Sequence, residues 1–427
     1  MADSYGQNCN RCGFCLSVCP TYLAQGTEDA SPRARIQLID FFSDHRVGSS
    51  EKLKEIISKC LMCGNCASIC PSGINHPERY VRMREKMIRD HGDMPGIKSL
   101  VYLLAKESRI RMAAGAAKIA RKIVPQVFAE KYRLGSIALK QFPVLNKVPF
   151  RAAARDAMTH KPGHKSKAAS GLKYGRVAYF TGCATNYLFD DTGFSVLNIL
   201  RHMGVEVIIP ETQTCCGTPM LFHGGREKVK SNVNNNLACL DAQGIDAVIV
   251  DCPTCGAALK NDYPALAKEF GLDQDAANRV AGKVVDISSF IMAHESPENF
   301  PQNDEMIRVT YHQPCHQRNH MPTPGSAQAL LNALKGVEYT QALDMSSCCG
   351  GGGTFFYEYP EVSRGIAKKK VANAKATGAD FWVTDCPVCR INLGGYLDES
   401  AGLTVVHPAC VAARFLPDLK GRTRQFN

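Results

Sequence analysis

Eighteen of the twenty cysteines in this chain stand in four groups, and the spacing within each group suits metal binding. Two groups, which we name the first and second runs, share the pattern Cys-x2-Cys-x2-Cys-x3-Cys-Pro. The first run holds Cys9, Cys12, Cys15 and Cys19, and the second holds Cys60, Cys63, Cys66 and Cys70. Thiolates are soft ligands that hold iron–sulfur clusters, whereas structural zinc prefers paired Cys-x2-Cys elements. The runs therefore predict iron–sulfur clusters, with structural zinc as the alternative.

The two runs resemble the cluster-binding segments of ferredoxins that carry two clusters. In those proteins three cysteines of a run hold one 4Fe–4S cube, while the fourth holds the cube of the other run. By position, the resemblance implies one cubane cluster on Cys9, Cys12, Cys15 and Cys70, and a second on Cys60, Cys63, Cys66 and Cys19. Crossed ligation of this kind holds two cubes close enough together for fast electron exchange.

The other two groups, the first and second arrays, each take five cysteines from three separate places in the chain. They are Cys183, Cys215, Cys216, Cys252 and Cys255 in the first array, and Cys315, Cys348, Cys349, Cys386 and Cys389 in the second. Five thiolates exceed the needs of a cube or a tetrahedral zinc ion, and adjacent cysteines reach one centre only by bridging several irons. Gly217 and Gly350 let the backbone turn close to such a centre. The four glycines at 350–353 lack the Lys-Ser/Thr of a phosphate loop, which disfavours nucleotide binding there.

The two arrays belong to an internal repeat. Their matching cysteines lie 132 to 134 residues apart, and their flanks agree, since RVAYFTGC ends at Cys183 and RVTYHQPC ends at Cys315. A repeat of this kind predicts a duplicated domain with pseudo-twofold symmetry.

Each copy of the repeat alternates short apolar segments with helical ones. In the first copy we expect buried strands at Val177–Phe180, Val205–Ile209 and Ala247–Val250, and helices at 190–203, 225–241 and 255–270. The alternation predicts a mostly parallel sheet covered by helices. The cysteines then follow the strand ends, where open α/β sheets bind ligands.

The predicted fold class is α/β within the repeat and α+β for the chain as a whole. A small, mostly helical two-cluster ferredoxin-type domain comes first, with short helices and loops around the runs at 1–100. A basic, amphipathic helical linker follows at 101–170. The duplicated α/β domain then contains the first array at 171–300 and the second array at 301–427.

The positive charge is concentrated in the predicted linker. The chain has a net charge of +11, while residues 101–170 alone contain fifteen Lys and Arg against three acidic residues, a net of +12. Such a distribution disfavours nucleic-acid binding and favours one basic docking face. The pattern of residues 108–124 predicts an amphipathic helix whose apolar stripe is Ile110, Ala113, Ala114, Ala117 and Val124. This helix either packs on a neighbouring helix or docks on an anionic membrane surface or partner. Residues 160–171 are typical of a flexible connection.

The cysteine usage indicates a reducing compartment. Disulfide frameworks suit short secreted chains, and the N-terminus has no apolar signal-peptide core. The chain contains no run of about 18 apolar residues, so we expect no membrane span. We therefore expect a cytoplasmic protein, which is peripheral on the cytoplasmic face of the inner membrane if the basic segment docks there.

The arrays resemble the cysteine-rich CCG domains of heterodisulfide reductase and of iron–sulfur subunits of flavin dehydrogenases. The resemblance implies two further, non-cubane 4Fe–4S clusters, each on the five cysteines of one array. The segment CGFCLSVCPTYLAQGTEDASPRARIQLI resembles the iron–sulfur subunit family of glycolate oxidase and D-lactate dehydrogenase, which has a Pro-Arg-x-Arg-Ile motif at Pro32, Arg33, Arg35 and Ile36. One interpretation of Arg33 and Arg35 is that they pair with acidic residues near the clusters.

That family implies an electron-transfer subunit. A separate FAD-containing dehydrogenase oxidises the 2-hydroxy acid, glycolate or D-lactate, and the electrons pass through this chain to a quinone or another carrier. No GxGxxG segment lies between a strand and a helix, so we expect no flavin or NAD in this chain. Two alternatives are a heterodisulfide-reductase-like catalytic subunit that reduces a disulfide at an array, and the iron–sulfur subunit of a glycerol-3-phosphate dehydrogenase, which shares the layout.

Histidines beside the second array are the candidate catalytic residues. His312 and His316 flank Cys315, and His320 follows one helical turn later. A proton donor beside a redox centre couples electron transfer to protonation, although polar residues in a loop have the same pattern. His223, after the paired cysteines of the first array, has the same two interpretations.

Four further residues near the arrays have simpler expectations. Asp251 and Asp385 precede the two Cys-Pro-x-Cys motifs and are expected to cap the helices that follow. Cys239 and Cys410 stand outside the runs and arrays and are expected to be ordinary buried thiols.

Overall fold

The computed structural model describes residues 9–123, 132–159, 175–295, 306–397 and 401–416. The expected connection at 160–171 and Val124 of the apolar stripe lie outside these ranges. The described residues form a helical N-terminal region and two parallel sheets, each with helices around it.

The N-terminal region is helical, as predicted. Its α-helices are α1 Phe14–Ser17, α2 Pro20–Gln25, α3 Pro32–Ser43, α4 Glu51–Ser58, α5 Asn65–Ser68, α6 His76–His91, α7 Pro95–Leu104 and α8 Glu107–Ile123, and a 3-10 turn spans Glu28–Ala30. The side chains of Ser31, Ser50 and Asn75 each accept a first-turn backbone N–H and so start α3, α4 and α6. Ile36 and Ile57 are fully buried between these helices.

The two runs adopt the same backbone conformation. Arg11 and Met62 have φ of 55° and 54°, and the glycine two residues further on, Gly13 or Gly64, also has a positive φ. A four-residue helix follows in each case, α1 or α5. Two matching left-handed positions in such a short segment curl each run into a tight loop, which brings its cysteines together.

Each repeat forms a four-stranded parallel sheet. The first sheet contains β3 Arg176–Phe180, β4 Glu206–Ile208, β5 Ala247–Val250 and β6 Val284–Asp286; the second contains β7 Ile307–Tyr311, β8 Val337–Tyr339, β9 Phe381–Val383 and β10 Thr404–Val406. The spatial orders, β4-β3-β5-β6 and β8-β7-β9-β10, are the same when counted from the first strand of each copy. The common topology confirms the duplication, and the three strands predicted in the first copy are confirmed to within one residue at each end.

Helices cover both sheets. In chain order they are α9 Phe150–Thr159, α10 Cys183–Tyr187, α11 Asp190–His202, α12 Thr218–Phe222, α13 Arg226–Leu240, α14 Pro253–Ala257, α15 Tyr263–Phe270, α16 Gln274–Lys283, α17 Ile287–His294, α18 Cys315–His320, α19 Ser326–Ala333, α20 Phe355–Glu358, α21 Pro360–Lys375, α22 Pro387–Gly394 and α23 Pro408–Ala413. A π-helical turn, Ala258–Asp262, joins α14 to α15, and a 3-10 turn spans Leu139–Gln141. The helices predicted at 190–203 and 225–241 are confirmed, and the one predicted at 255–270 corresponds to α14, the π turn and α15.

One apolar core joins the two repeats. Val177 and Tyr179 of the first sheet lie in the same core as Val309 and Tyr311 of the second. The alternate residues of β3 face the opposite side, where Phe180 packs in a core that includes cysteines of the first array. Because both faces of each sheet are buried, the strands consist of nearly continuous apolar residues, as parallel strands usually do.

The described part of the basic segment packs onto both repeats, and the backbone N–H of Ser136 donates to the carbonyl oxygen of Phe356 in the second repeat at 3.0 Å. The predicted amphipathic helix is confirmed as α8, with Ala114 buried and Ile110 half-buried, while Ala117 is exposed. Glu107 at its start accepts hydrogen bonds from Arg151 at 2.5 Å and from the hydroxyl of Tyr187 at 2.7 Å. A short antiparallel pair, β1 Arg133–Leu134 and β2 Ile137–Ala138, follows α8 in the chain.

Candidate functional site

The eight cysteines of the runs surround two cavities, and each cavity draws on both runs. One is lined by Cys9, Cys12, Cys15 and Cys70. The other is lined by Cys19, Cys60, Cys63 and Cys66. The structure thus brings together the two groups that the ferredoxin resemblance implies. Four thiols around one space fit a 4Fe–4S cube, which takes four thiolate ligands.

A buried arginine lies beside the second cavity. Arg35 is 1% exposed, and its guanidinium donates to the carbonyl oxygens of Ile56 and Lys59. Burial opposes its charge, but the thiols of Cys60 and Cys19 outweigh this effect and raise the pKa of Arg35. A permanent positive charge therefore stands where a negatively charged cluster would bind.

The two arginines of the Pro-Arg-x-Arg-Ile motif have different partners. Arg33 pairs with Glu28, with its Nε 2.7 Å from a carboxylate oxygen. Pairing with an acidic residue is confirmed for Arg33. It is wrong for Arg35, because its guanidinium donates hydrogen bonds to backbone carbonyl oxygens instead.

Substituting Arg35 by glutamine is expected to lower the potential of an iron–sulfur centre held by Cys19, Cys60, Cys63 and Cys66. Loss of the buried charge makes the reduced, more negative centre less favourable, and the unpaired carbonyls cost about 2–3 kcal/mol of folding free energy. Redox titration monitored by EPR and urea unfolding measure the two effects. Arg33→Gln is the matched control, and equal shifts in both variants would contradict the role of Arg35.

The cysteines of the arrays lie at the carboxyl edges of the two sheets, as predicted. Cys183 starts α10 directly after β3, the paired cysteines follow β4, and Cys252 and Cys255 follow β5. The second array repeats this placement after β7, β8 and β9. In a parallel sheet with this strand order, the crevice for ligands opens between the first and third strands, here β3 and β5 or β7 and β9.

The thiols of the two arrays form one continuous series of side-chain contacts. In order, the series is Cys183, Cys215, Cys216, Cys255, Cys252, Cys386, Cys389, Cys349, Cys348 and Cys315. Its second half mirrors the first, and the contact between Cys252 and Cys386 lies at the centre. The Sγ atoms of Cys349 and Cys389 are 3.1 Å apart. The two arrays therefore adjoin each other at Cys252 and Cys386.

The environment of these thiols suits a centre with several irons. Contacts with other thiols, together with burial, raise the pKa of Cys215 well above its usual value, while a hydrogen bond with Cys315 lowers that of Cys348. The backbone N–H groups of Gly350 and Gly351 face the Sγ atoms of Cys348 and Cys349 at 3.4 and 3.3 Å. So dense a set of thiols cannot ionise together without a cation, and metal binding would release its protons.

The second run lies against the second array. The Nδ2 of Asn319 donates to the carbonyl oxygen of Cys63 at 2.7 Å and to the Oδ1 of Asn65 at 2.8 Å. The thiol of Cys63 is an electrostatic neighbour of Cys348 and Cys315. One cavity of the runs thus adjoins the second array directly.

Substituting Gly64 by alanine is expected to separate the second run from the second array. Gly64 has a φ of 76°, and an added Cβ would stand 2.7 Å from the Nε2 of His320. The left-handed backbone alone costs about 1–2 kcal/mol in an alanine, and the imidazole of His320, at the end of α18, must move away from the second run. Urea unfolding should report the lower stability. If the run and the array each hold an iron–sulfur centre, rapid-mixing reduction should report slower electron exchange between the two centres.

Gly48 provides the control for this substitution, because nothing lies within 4 Å of its added Cβ. Gly48→Ala should leave both measurements unchanged. Unchanged exchange in the Gly64→Ala chain would mean that the contact does not carry electrons.

The two candidate catalytic histidines both lie at the second array. His312, at the end of β7, is buried, and one ring nitrogen lies within 4.8 Å of the Sγ atoms of Cys349 and Cys389. His316 has its Nδ1 2.7 Å from the Oγ1 of Thr254 in the first repeat. Burial lowers the pKa of both imidazoles, although nearby thiols partly oppose this at His316.

The other two histidines are placed differently. His320 packs beside His316, and burial lowers its pKa to about 4. His223 lies in a cluster of polar side chains, with ring nitrogens 3.3 Å from Asp93 and 2.7 Å from the hydroxyl of Thr354. His223 therefore joins the N-terminal region to both repeats, which favours a structural role over proton donation to a centre.

The expectation that Asp251 and Asp385 cap helices is wrong. The N-caps of α14 and α22 are cysteines, and neither makes a side-chain capping bond. Asp251 accepts instead from the hydroxyl of Tyr179 at 2.7 Å, and Asp385 accepts from that of Tyr311 at 2.6 Å. The two tyrosines occupy matching positions in the repeat, so the sequence contained a signal for this pair of bonds.

Several buried charged residues near the centres have no signal in the sequence that singles them out. Arg84 of α6 donates to the carbonyl oxygens of Ser58 and Cys60 at 2.7 and 2.6 Å. Lys370 of α21 donates to the carbonyl oxygen of Asp344 at 2.6 Å and is 2% exposed. Both stand among other charged residues on long helices, so no pattern marks them as buried.

The two cysteines outside the runs and arrays are separate from the thiol series. Cys410 is buried, as expected, whereas Cys239 is half-buried and donates to the carbonyl oxygen of Asn236. All twenty cysteines lie in the described part of the chain, and all are free thiols.

Two family models match the chain at these sites. A model described as "Cysteine-rich domain" (CCG) matches residues 177–260 and again 309–394. A model described as "4Fe-4S dicluster domain" matches residues 5–74. The matched residues contain both arrays and both runs.

Curated relatives match nearly the whole chain. The "Probable glycolate oxidase iron-sulfur subunit" of Bacillus subtilis is 30% identical over 90% of this chain and 88% of its own length. The "Glycolate oxidase iron-sulfur subunit" of Escherichia coli is 27% identical over 95% and 92%. A subunit of the "Dihydromethanophenazine:CoB--CoM heterodisulfide reductase" of Methanosarcina mazei is 25% identical over 90% and 88%.

Across the described part of the chain, none of the helices has both the length and the apolar character needed to cross a membrane.

Proposed function

We propose a function for this chain from the family to which it belongs, that of the glycolate oxidase iron–sulfur subunits. The chain would take electrons from a separate FAD-containing dehydrogenase that oxidises glycolate or D-lactate. The chain is an iron–sulfur electron-transfer subunit of an oxidoreductase complex. The electrons then pass to a quinone or another carrier.

Four groups of cysteines would hold the centres in this proposal. Cubane 4Fe–4S clusters would be held by Cys9, Cys12, Cys15 and Cys70, and by Cys60, Cys63, Cys66 and Cys19. Each array would hold one further, non-cubane 4Fe–4S cluster. Bound clusters supply one-electron carriers, and the residues of this chain position them, exclude water and set the surrounding charge.

The contact between the second run and the second array carries this proposal. Asn319 holds the backbone at Cys63 next to the array, and Cys252 and Cys386 join the two arrays. The four groups of thiols therefore follow one another from the first run, through the second run and the second array, to the first array. Such a series suits the conduction of electrons between two partners at different places on the molecule.

Anaerobic purification together with co-expressed neighbouring proteins tests the proposal. The chain is expected to contain about sixteen irons, as four 4Fe–4S clusters require, and to co-purify with a flavoprotein. On its own it should not oxidise glycolate, D-lactate or glycerol-3-phosphate, whereas the complex should reduce a quinone analogue with a 2-hydroxy acid. Oxidation of a hydroxy acid by the isolated chain would contradict the proposal, and oxidation of glycerol-3-phosphate by the complex would favour that dehydrogenase instead.

A second function is favoured by the contact between the arrays. Two multi-thiol sites that meet at Cys252 and Cys386 would present a disulfide substrate with two electron donors side by side, as a heterodisulfide-reductase-like catalytic subunit requires. His312 and His316 would then be the proton donors. Reduction of a thiol-derived disulfide by the chemically reduced chain, without a flavoprotein, would support this function. If the disulfide is not reduced, electron transfer is the only function that remains.

The described part of the basic segment supports a peripheral contact with an anionic membrane surface, which we propose to be that of the cytoplasmic side. Tyr102, Met112 and Ile119 are each more than half exposed, and Arg109 stacks on the ring of Tyr102 at 3.7 Å. Apolar side chains beside basic ones are typical of helices that lie in a lipid interface.

Sedimentation with vesicles tests the membrane contact. Vesicles containing phosphatidylglycerol should bind the chain, pure phosphatidylcholine vesicles should not, and Ile119→Glu should weaken binding. Leu343→Glu is the control, because Leu343 is 90% exposed in the second repeat. Equal binding to both kinds of vesicle, or equal loss in both variants, would exclude this docking face.

A further inference from the structure

The imidazole of His312 is buried against the second array and lacks a partner. Its side chain is 1% exposed, and one ring nitrogen lies within 4.8 Å of the Sγ atoms of Cys349 and Cys389. Neither ring nitrogen completes a hydrogen bond with any residue that the structure describes. Because buried polar groups are normally paired, two unpaired nitrogens beside a set of thiols indicate a bonding position that a ligand fills.

The first repeat provides an internal comparison for this histidine. His312 and Phe180 occupy matching positions, since each ends or follows the first strand of its sheet and precedes the leading cysteine of its array by three residues. Phe180 is fully buried and packs in the core that contains Cys215 and Cys216. Because the same fold accepts a phenylalanine here, packing alone does not require a histidine in the second repeat.

The surroundings of the His312 ring suit coordination. The carbonyl of Met345 lies beside the ring, although it does not complete a hydrogen bond of normal geometry. A backbone carbonyl close to the ring is common where a histidine binds a metal, because it fixes the orientation of the ring.

We propose that His312 is a nitrogen ligand of the metal centre in the second array, and that the centre in the first array has no such ligand. This inference rests on the proposed function, which places an iron–sulfur centre in each array. The two repeated sites are then chemically unlike, although their ten cysteines match one for one.

The histidine ligand makes the second array the site of higher potential. An imidazole is neutral whereas a thiolate is an anion, and iron–sulfur centres with histidine ligands have raised potentials. Lys370, an electrostatic neighbour of Cys348 and Cys349, lies on the same side, where it also pairs with the carboxylate of Asp344 at 3.7 Å. In the first repeat the corresponding helix, α13, contributes the amide of Asn236, which donates to the carbonyl oxygen of Cys215. Electrons that enter from the second run are therefore held at the second array before they pass to the first.

Pulsed EPR of the full-length chain, purified without oxygen and reduced in steps, tests this inference. Protein grown with 15N-labelled histidine is compared with unlabelled protein. One array signal is expected to show a strong nitrogen coupling that scales with the isotope. In His312→Phe that coupling should disappear, and the midpoint potential of the same centre should shift to a more negative value.

The outcomes separate this inference from the proposed function. Full iron content and two array signals, with nitrogen couplings too weak for a bond to the metal, would overturn the ligand. Arrays without iron would contradict the proposed function instead. If His312→Phe does not fold, the isotope comparison on the unsubstituted chain still decides.

His316→Gln is the matched control, because His316 is also close to the second array and follows Cys315 directly. The strong coupling should persist in this variant. A coupling that is lost in His316→Gln and retained in His312→Phe would assign the ligand to His316 and overturn the proposal.

Discussion

Substituting Cys19 by serine is expected to remove the centre of the second run and to leave that of the first. Cys19 belongs to the first run by sequence, yet it lines the cavity of Cys60, Cys63 and Cys66. A serine hydroxyl is a poor replacement for a soft thiolate, so the variant should lose about four irons. Electron delivery to the arrays should stop as well, because the lost centre is the one beside Cys63 and Cys348. Iron analysis and EPR of the reduced chain measure the loss.

Cys70→Ser is the matched variant for Cys19→Ser. It should remove the centre that Cys9, Cys12 and Cys15 share, while the second run still exchanges electrons with the second array. The centres can be told apart, because Arg35→Gln shifts the potential of the second-run centre. If each serine variant lost the centre of its own run, the crossed arrangement would be wrong.

Substituting Cys386 by serine is expected to disable the second array and to isolate the first array from the runs. The thiol of Cys386 contacts both Cys389 of its own array and Cys252 of the other. Its removal therefore takes a ligand from one proposed centre and breaks the contact between the two. Turnover of the complex with its acceptor should fall to background, measured together with iron content.

Cys239→Ser is the control for Cys386→Ser, because Cys239 is a free thiol outside the series. This variant should keep full turnover and full iron content. A Cys386→Ser complex with normal turnover would mean that electrons leave the molecule before they reach the arrays.

The spacing of the cysteines was enough to anticipate most of the candidate site. Ligand spacing is a local property, so the runs, the arrays and their positions after strands could be read directly from the chain. The offset between the copies also predicted the duplication, which the common strand order confirms. The fourth strand of the first copy, β6, was missed because it lies directly between α16 and α17, with no turn residues to set it apart.

Contacts between distant segments could not be anticipated in the same way. The docking of Asn319 on Cys63 joins residues 256 positions apart. The assignment of Asp251 failed because a buried tyrosine hydroxyl competes for its carboxylate more effectively than the neighbouring backbone does. The burial of Arg35 and Lys370 depends on carbonyls that only the complete fold brings close.

The close fit of the second run over the second array sets an order of events in the maturation of the protein. Cys63 and Cys348 are 7% and 5% exposed, and an added Cβ at Gly352 would stand 2.6 Å from the side chain of Leu61. Once these surfaces meet, a scaffold protein that delivers iron and sulfide cannot reach either site. The centres of the second run and the second array are therefore expected to be inserted before the N-terminal region packs onto the second repeat.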